Sequence, residues 1–380
     1  MLKASHHQPP APDPYVLVAA LWKMSRQDIL DLAVGAAILG AGGGGDPYIG
    51  MLMALQELDK GREIRVADPE EVPDDSFVVP VAGMGTPTVL IEKIPSGSEL
   101  VYALKALEEY YNREADFLTP IEAGGINSTI PLVVAARRGL PVIDGDGMGR
   151  AFPELQMTTF HLYGIKATPM SMADEKGNRI VLDTIDNYWA EKIARVVTIK
   201  FGGTAWIAIY AMKGSDYKRA AVWRTMSLAI KIGRAIREAK ERGKNPIDAL
   251  TEASNGFLLF RGKIVDVKRF NVGGFARGEA VIDGMDSFSG SKMVIKFQNE
   301  NLIALRDGEP VAMVPDIIVV VDQETARPIT TERLRYGLRV AVIGIPCSEK
   351  WRTPEGLKVV GPKYFGYDYE YIPIEKLMGR

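Results

Sequence analysis

The chain has 380 residues, 47% hydrophobic and 25% charged, a globular composition with room for two sizeable cores. A formal net charge of −2 and a pI near 6.1 leave no global basic field, which argues against nucleic-acid and anionic-membrane partners and for a small neutral or polar substrate. One cysteine, Cys347, excludes an intrachain disulfide, and three histidines, His6, His7 and His161, exclude a Cys/His zinc cluster, so any metal site must be mostly carboxylate.

Residues 1–24, opening "MLKASHHQPPAPDP", read as a disordered tail without a secretory signal, with Met24 as an alternative natural start. No apolar run approaches the ~18–20 residues of a membrane helix, and a cytoplasmic location is expected. Residues 25–198 should form an α/β domain with a mainly parallel sheet and glycine-rich loops. Residues 199–380 should form a long helix followed by a β-rich domain, barrel- or sandwich-like.

Ser25 with Asp28 three residues on reads as an acidic capping box opening a helix to Leu39. In "LGAGGGGDPYIG", Gly40, Gly42 and Gly45 satisfy G-x-G-x-x-G, but Asp46 can cap and Pro47 begin a second helix ending at Gly61. The glycines then join two helices, whereas a dinucleotide turn follows a strand, so no nucleotide cofactor is expected. Asp68, after "EIRVAD", keeps a nucleotide-dependent enzyme as the third reading, which thermal-shift screening with NAD, NADP and ATP would test.

"SFVVPVAGMG" is a buried strand, "SELVYALKALEEYYNREA" a helix, and "FLTPIEAGG", "INSTIPLVVAARRG" and "LPVIDGDGMG" a strand-helix-strand unit with parallel strands. Glu122 and Asp144 then lie at the carboxyl ends of neighbouring strands, where open α/β sheets place their sites. A hairpin around "KGN", a helix "NYWAEKIARVV" and one long amphipathic helix from Tyr217 to Gly243 follow, and then six short strands from "GKIVDVKRF" to "LRVAVIGIP".

Glu122, Asn127, Asp144, Asp146 and Glu154 form the densest polar cluster and are the catalytic candidates. The glycines beside them, Gly124 and Gly125, would let a ligand approach the backbone. The bland alternatives are that Asn127 or Ser128 caps the following helix and that Asp144 and Asp146 hold a glycine-rich turn. Clustered carboxylates allow either an acid–base pair or a shared cation. His161 could be a ligand or a packing residue, and Cys347 reads as a core thiol. The aromatics of "GPKYFGYDYEY" form an interface or a pocket wall, and Arg352 a carboxylate fork or an exposed ion pair.

"GAAILGAGGGGDPYIG", "VAGMGTPTVLIEK", "EAGGINSTIPLVVAARRGLPVIDGDGMGRAFPELQM", "GKIVDVKRFNVGGFARGEAVI" and "WRTPEGLKVVGPKYFGYDYEYIPI" occur in register, and together the chain resembles the S-methyl thiohydantoin desulfurase family from about Ser25 to Ile374. The resemblance implies an N-terminal α/β and a C-terminal β-rich domain. It also implies kinship with hydantoinase and oxoprolinase systems, which act on five-membered cyclic amides, and desulfurase activity on thiohydantoins in some members. The matching loops are Gly42 to Asp46, Glu122 to Ser128 and Asp144 to Glu154.

The leading expectation is a metal-assisted hydrolase of a hydantoin- or thiohydantoin-like ring. One divalent cation, zinc or similar, would be held by Asp46, Asp146 and His161, with Glu122 and Asp144 as further donors. Glu154 would move the proton. Gly43, Gly44, Gly45, Asp46, Gly124, Gly125, Ser128 and Arg352 would contact substrate. A homo-oligomer and a hydantoinase- or oxoprolinase-like partner are expected. The alternative is a non-catalytic ligand-binding or accessory subunit of such a system, which Asp144→Asn would separate from an enzyme.

Overall fold

The Ser25 hydroxyl accepts the Asp28 N–H (3.1 Å) while the Asp28 carboxylate accepts the Ser25 N–H (2.9 Å), the reciprocal cap expected for α1 (Arg26–Leu39). The computed structural model describes residues 21–85, 89, 93, 95–272 and 275–379. Most of the expected tail, residues 1–20 with His6 and His7, lies outside them, as does part of "TPTVLIEK". The end of that tail is corrected: Leu21–Lys23 is strand β1, paired antiparallel with β2 (Arg65–Ala67). Between them α1 runs into the glycines and the chain re-enters helix at α2 (Tyr48–Asp59).

The first sheet continues with β3 (Phe77–Gly85), β4 (Phe117–Pro120), β5 (Val142–Ile143), β7 (Met170–Ala173), β8 (Arg179–Leu182), β9 (Thr204–Ala208) and β10 (Met212–Lys213); β6 (Gly145–Asp146) pairs elsewhere. Its strand order is β1-β2-β5-β4-β3-β9-β7-β8, with β10 also on β3. The sheet is mixed: β2, β5, β4 and β3 are mutually parallel, and the flanking strands antiparallel. Alternation along β3 sends Val79 and Val81 to one buried cluster, with α1 and α2, and Val78 and Ala82 to the other.

Helix α3 (Ser98–Tyr111) follows β3, and α4 (Ile130–Arg138) links β4 to its parallel neighbour β5, as the sequence implies. After α5 (Thr159–Leu162) and α6 (Asn187–Lys200), β9 and β10 still belong to the first sheet, so that sheet extends past the expected boundary at 198/199.

The long helix expected from Tyr217 is interrupted. Helix α7 (Gly214–Ala220) ends, β11 (Val222–Trp223) pairs with β6, and α8 (Thr225–Glu241) starts after Arg224 in the left-handed region, φ 59°. Asp144 imposes the break, since its carbonyl accepts the Arg224 N–H (2.7 Å) and its carboxylate the Ser227 N–H (3.0 Å). Helix α8 packs on α1 at Gly35 and Gly233, where a Cβ on either would strike the other helix's backbone.

After α9 (Pro246–Ser254) the chain is β-rich: β12 (Phe257–Val272), β13 (Phe275–Gly284), β14 (Lys292–Gln298), β15 (Glu300–Arg306), β16 (Glu309–Met313), β17 (Ile317–Asp322) and β18 (Arg339–Ile345). They form one antiparallel sheet, β16-β15-β14-β13-β12-β18-β17, that curls until β15 meets β17 around a core of its own. Only β16 was not expected. It carries Pro310, which an edge strand tolerates because no ladder bond is required of it.

Candidate active site

Parallel β3 and β4 end side by side, and Glu122 follows β4 by two residues, buried. Asn127 reaches across the strand ends. Its Oδ1 accepts the Gly83 N–H (2.7 Å), and its Nδ2 donates to the Gly83 carbonyl (3.1 Å) and to Glu122 Oε1 (2.7 Å). Neither Asn127 nor Ser128 caps α4. Ser128 Oγ instead accepts the Gly124 N–H (3.0 Å), which fixes the loop that presents Glu122.

That loop stacks on the glycine stretch. Ile126 N–H donates to the Gly44 carbonyl (2.9 Å), and Gly44 and Gly45 lie at φ 71° and 75°, the left-handed region that favours glycine. The glycine stretch in turn docks on the C-terminal sheet, where Asn301 N–H donates to the Ala41 carbonyl and Thr331 N–H to that of Gly42 (2.8 Å each). This contact brings in Glu300, at the start of β15. Glu300 is buried against Gly43, whose hydrogen leaves room for the carboxyl that any side chain would displace, and its Oε2 has no hydrogen-bond partner.

Glu122 and Glu300 therefore arrive from different sheets to line one cleft of about 90 Å³, together with Gly44, Gly45 and apolar side chains such as Met84, Ile126 and Phe152. Burial pushes Glu122 up to about 8; the bond from Asn127 opposes this and the nearby Asp146 charge adds to it. Burial and then the charge of Glu122 push Glu300 up to about 8, against the pull of Arg150. Arg150, itself buried and lowered to about 10 by burial, donates to the carbonyls of Pro315 and Asp316 (2.8 Å each). Its charge acts on the pair without being spent on an ion pair.

The other expected residues are placed elsewhere, Glu154 excepted. Glu154 lines the cleft and accepts from the Tyr364 hydroxyl (2.8 Å) and from Gln156. Asp144 holds the start of α8 through Ser227, whose N–H and hydroxyl both donate to it. Asp146, pushed up to about 7 by burial, accepts the N–H groups of Met148 and Gly149 (the latter 2.6 Å) and so ties its own turn. Asp46 caps α2 through the Tyr48 N–H (3.0 Å) and pairs with Arg333 (2.6 Å). Arg352 is bound to Asp316 and Glu375 at the C-terminal end. His161 Nδ1 meets Asn187 Nδ2 (3.0 Å) and its ring stacks edge-on with Tyr188.

The expected metal trio of Asp46, Asp146 and His161 thus does not converge, because each side chain is committed to a different local partner. Among the described residues no group of three or more His, Cys, Asp or Glu side chains is arranged to hold a metal ion. Sequence reasoning missed Glu300, Arg150 and Arg195; the last lines the cleft from α6 and donates to the Pro153 carbonyl (3.0 Å). The available signal for Glu300 was a carboxylate opening the otherwise apolar strand "ENLIALR".

Family models described as S-Me-THD-like, N-terminal domain, and S-Me-THD-like, C-terminal domain, match residues 27–184 and 185–374. The crystal structure of a protein from Chromobacterium violaceum is similar, with a TM-score of 0.79 at 26% identity, covering 93% of this chain and 100% of that one. No curated protein matches the chain.

Proposed function

From the premise that this chain belongs to the S-Me-THD-like family, we propose that it hydrolyses a small five-membered cyclic amide or thioamide, with Glu122 and Glu300 moving the protons. One observation carries this reading. Two buried carboxyls, both raised by burial, face one small cleft whose wall is otherwise mostly glycine backbone and apolar side chains, with Asn127, Glu154, Arg195 and Asn299 among them.

Like charges held close in a dry site do not both ionise readily, so as pH rises towards about 8 the pair passes through a state of one carboxylate and one carboxylic acid, the form that reacts. The carboxylate takes a proton from water as the water oxygen bonds to the ring carbon that carries oxygen or sulfur. The acid gives its proton to the leaving atom, nitrogen when the C–N bond breaks and the ring opens, sulfur when the C–S bond breaks. The cleft is of a size for a small flat ring. Its apolar wall supplies affinity, and the bare backbone at Gly44 and Gly45 lets the polar edge of the ring approach. The donors expected for a cation, Asp46, Asp146 and His161, do not converge on this cleft, and the reading rests on the two carboxyls alone.

The test uses a panel of hydantoins, 2-thiohydantoins and S-methyl thiohydantoins, following ring opening by absorbance and thiol release with a thiol reagent. Turnover in the wild type that falls at least ~100-fold in both Glu122→Gln and Glu300→Gln, with binding retained, is the expected result. A ligand bound but never turned over would assign the cleft to a binding subunit instead. Turnover that survives both substitutions would remove the pair from the chemistry.

A further inference from the structure

Helix α6 is amphipathic in the wrong sense for a helix that only faces water. Its buried side is small or polar, Ala190, Glu191, Ala194 and Thr198, while of its large apolar side chains only Val197 packs against the core and the others point outward. Ile185 just before it is 79% exposed, Val196 58% and Ile199 62%, and Trp189 and Ile193 lie between them on the same face. The steps along 185, 189, 193, 196 and 199 are four, four, three and three residues, which keeps these side chains in a seam on one side of the helix and of the turn that leads into it.

We infer that this seam is the interface between two copies of the chain, packed about a twofold axis with their α6 helices antiparallel. The charges on the element select a copy of itself over another partner. Asp183 and Asp186 are exposed at its beginning and Lys200 at its end, while Lys192, midway along, lies over the Trp189 ring (5.0 Å). Antiparallel packing sets the acidic end of each helix against the basic end of the other and also opposes their dipoles. A second copy supplies both complementary ends at once. The inner side of the same helix builds the cleft wall, since Glu191 accepts the Leu155 N–H (3.0 Å) and Arg195 holds Pro153, so the interface braces that wall from behind.

Sedimentation velocity or light scattering on the full chain should give a dimer, and the pair Val196→Glu with Ile199→Glu should give a folded monomer with an unchanged far-ultraviolet spectrum. The geometry has a sharper consequence that does not depend on tolerating a charge. Ile193 lies at the middle of the seam and meets its own copy, whereas Ile185 lies roughly 20 Å from its copy's Ile185 along the helix axis. Under mild oxidation Ile193→Cys should form a covalent dimer and Ile185→Cys should not; the native Cys347 is buried. A monomeric wild type, a dimer that persists in the doubly charged variant, or equal cross-linking at both positions would each overturn the assignment, the first leaving the seam to another partner or to residues 1–20.

Discussion

Gly43 is the residue at which the glycine stretch acquires a specific purpose. Its missing side chain is what allows the Glu300 carboxyl to sit against the loop, and its own backbone is not in the left-handed region. Gly43→Ala therefore costs no dihedral strain but must push Glu300 aside. A loss of about 1–3 kcal/mol in urea unfolding is expected, together with a fall in kcat/KM of at least ~10-fold. Gly61→Ala, at a position with nothing within 4 Å, should leave kcat/KM unchanged. Glu300 itself sets a pH dependence. Its folded pKa is raised from the ordinary 4.5 to about 8, so the folded chain binds more protons than the unfolded one between these values. The stability gained by keeping it neutral is complete below about pH 4.5 and is lost as pH rises to about 8. Thermal melts across that range should show the wild type losing more stability towards the alkaline side than Glu300→Gln, because the amide cannot ionise. Parallel curves would mean that burial does not hold this carboxyl neutral.

The elements show why one carboxylate can look catalytic in sequence and be architectural in space. Asp144 follows a parallel strand at the expected sheet edge, yet its carboxylate accepts the Ser227 N–H and hydroxyl and so replaces the cap that Arg224 cannot provide for α8. Asp144→Ala should destabilise the chain by about 1–2 kcal/mol, read from chemical denaturation, with kcat in the remaining folded protein within a few-fold of wild type. A kcat loss as deep as that of Glu122→Gln would return Asp144 to the chemistry. What sequence could reveal follows from the range of the interaction. Capping at Ser25, the β4–α4–β5 unit and the hairpin of β7 and β8 are written in neighbouring residues, and each formed where its pattern lies. The interruption between α7 and α8 is not local, because Val222 and Trp223 leave the helical repeat only to pair with Asp146 and Gly145, more than seventy residues earlier. Glu122 was legible from strand-end topology. Glu300 was not, since its role exists only once the glycine stretch docks on β15.

At the scale of the whole molecule the cleft belongs to neither sheet alone, and Arg150 is the side chain that makes the junction electrostatic as well as steric. It rises from the loop after β6, lies over the Phe152 ring at 4.5 Å, and spends its donors on carbonyls at the start of the C-terminal strand β17. Because those partners are carbonyls, the positive charge remains to lower both Glu122 and Glu300. Arg150→Met keeps much of the volume but strands two buried carbonyls and removes that charge. Destabilisation of about 3–5 kcal/mol is expected in urea unfolding. A purely structural role would stop there. If the charge also poises the pair, the limb of the pH–rate profile on which activity rises with pH should move to higher pH in the folded variant, because without Arg150 the first carboxylate forms later. Arg150→Lys, which restores a charge with fewer donors, should recover the position of that limb more fully than it recovers stability. A profile unmoved in Arg150→Met would confine Arg150 to holding the two sheets together.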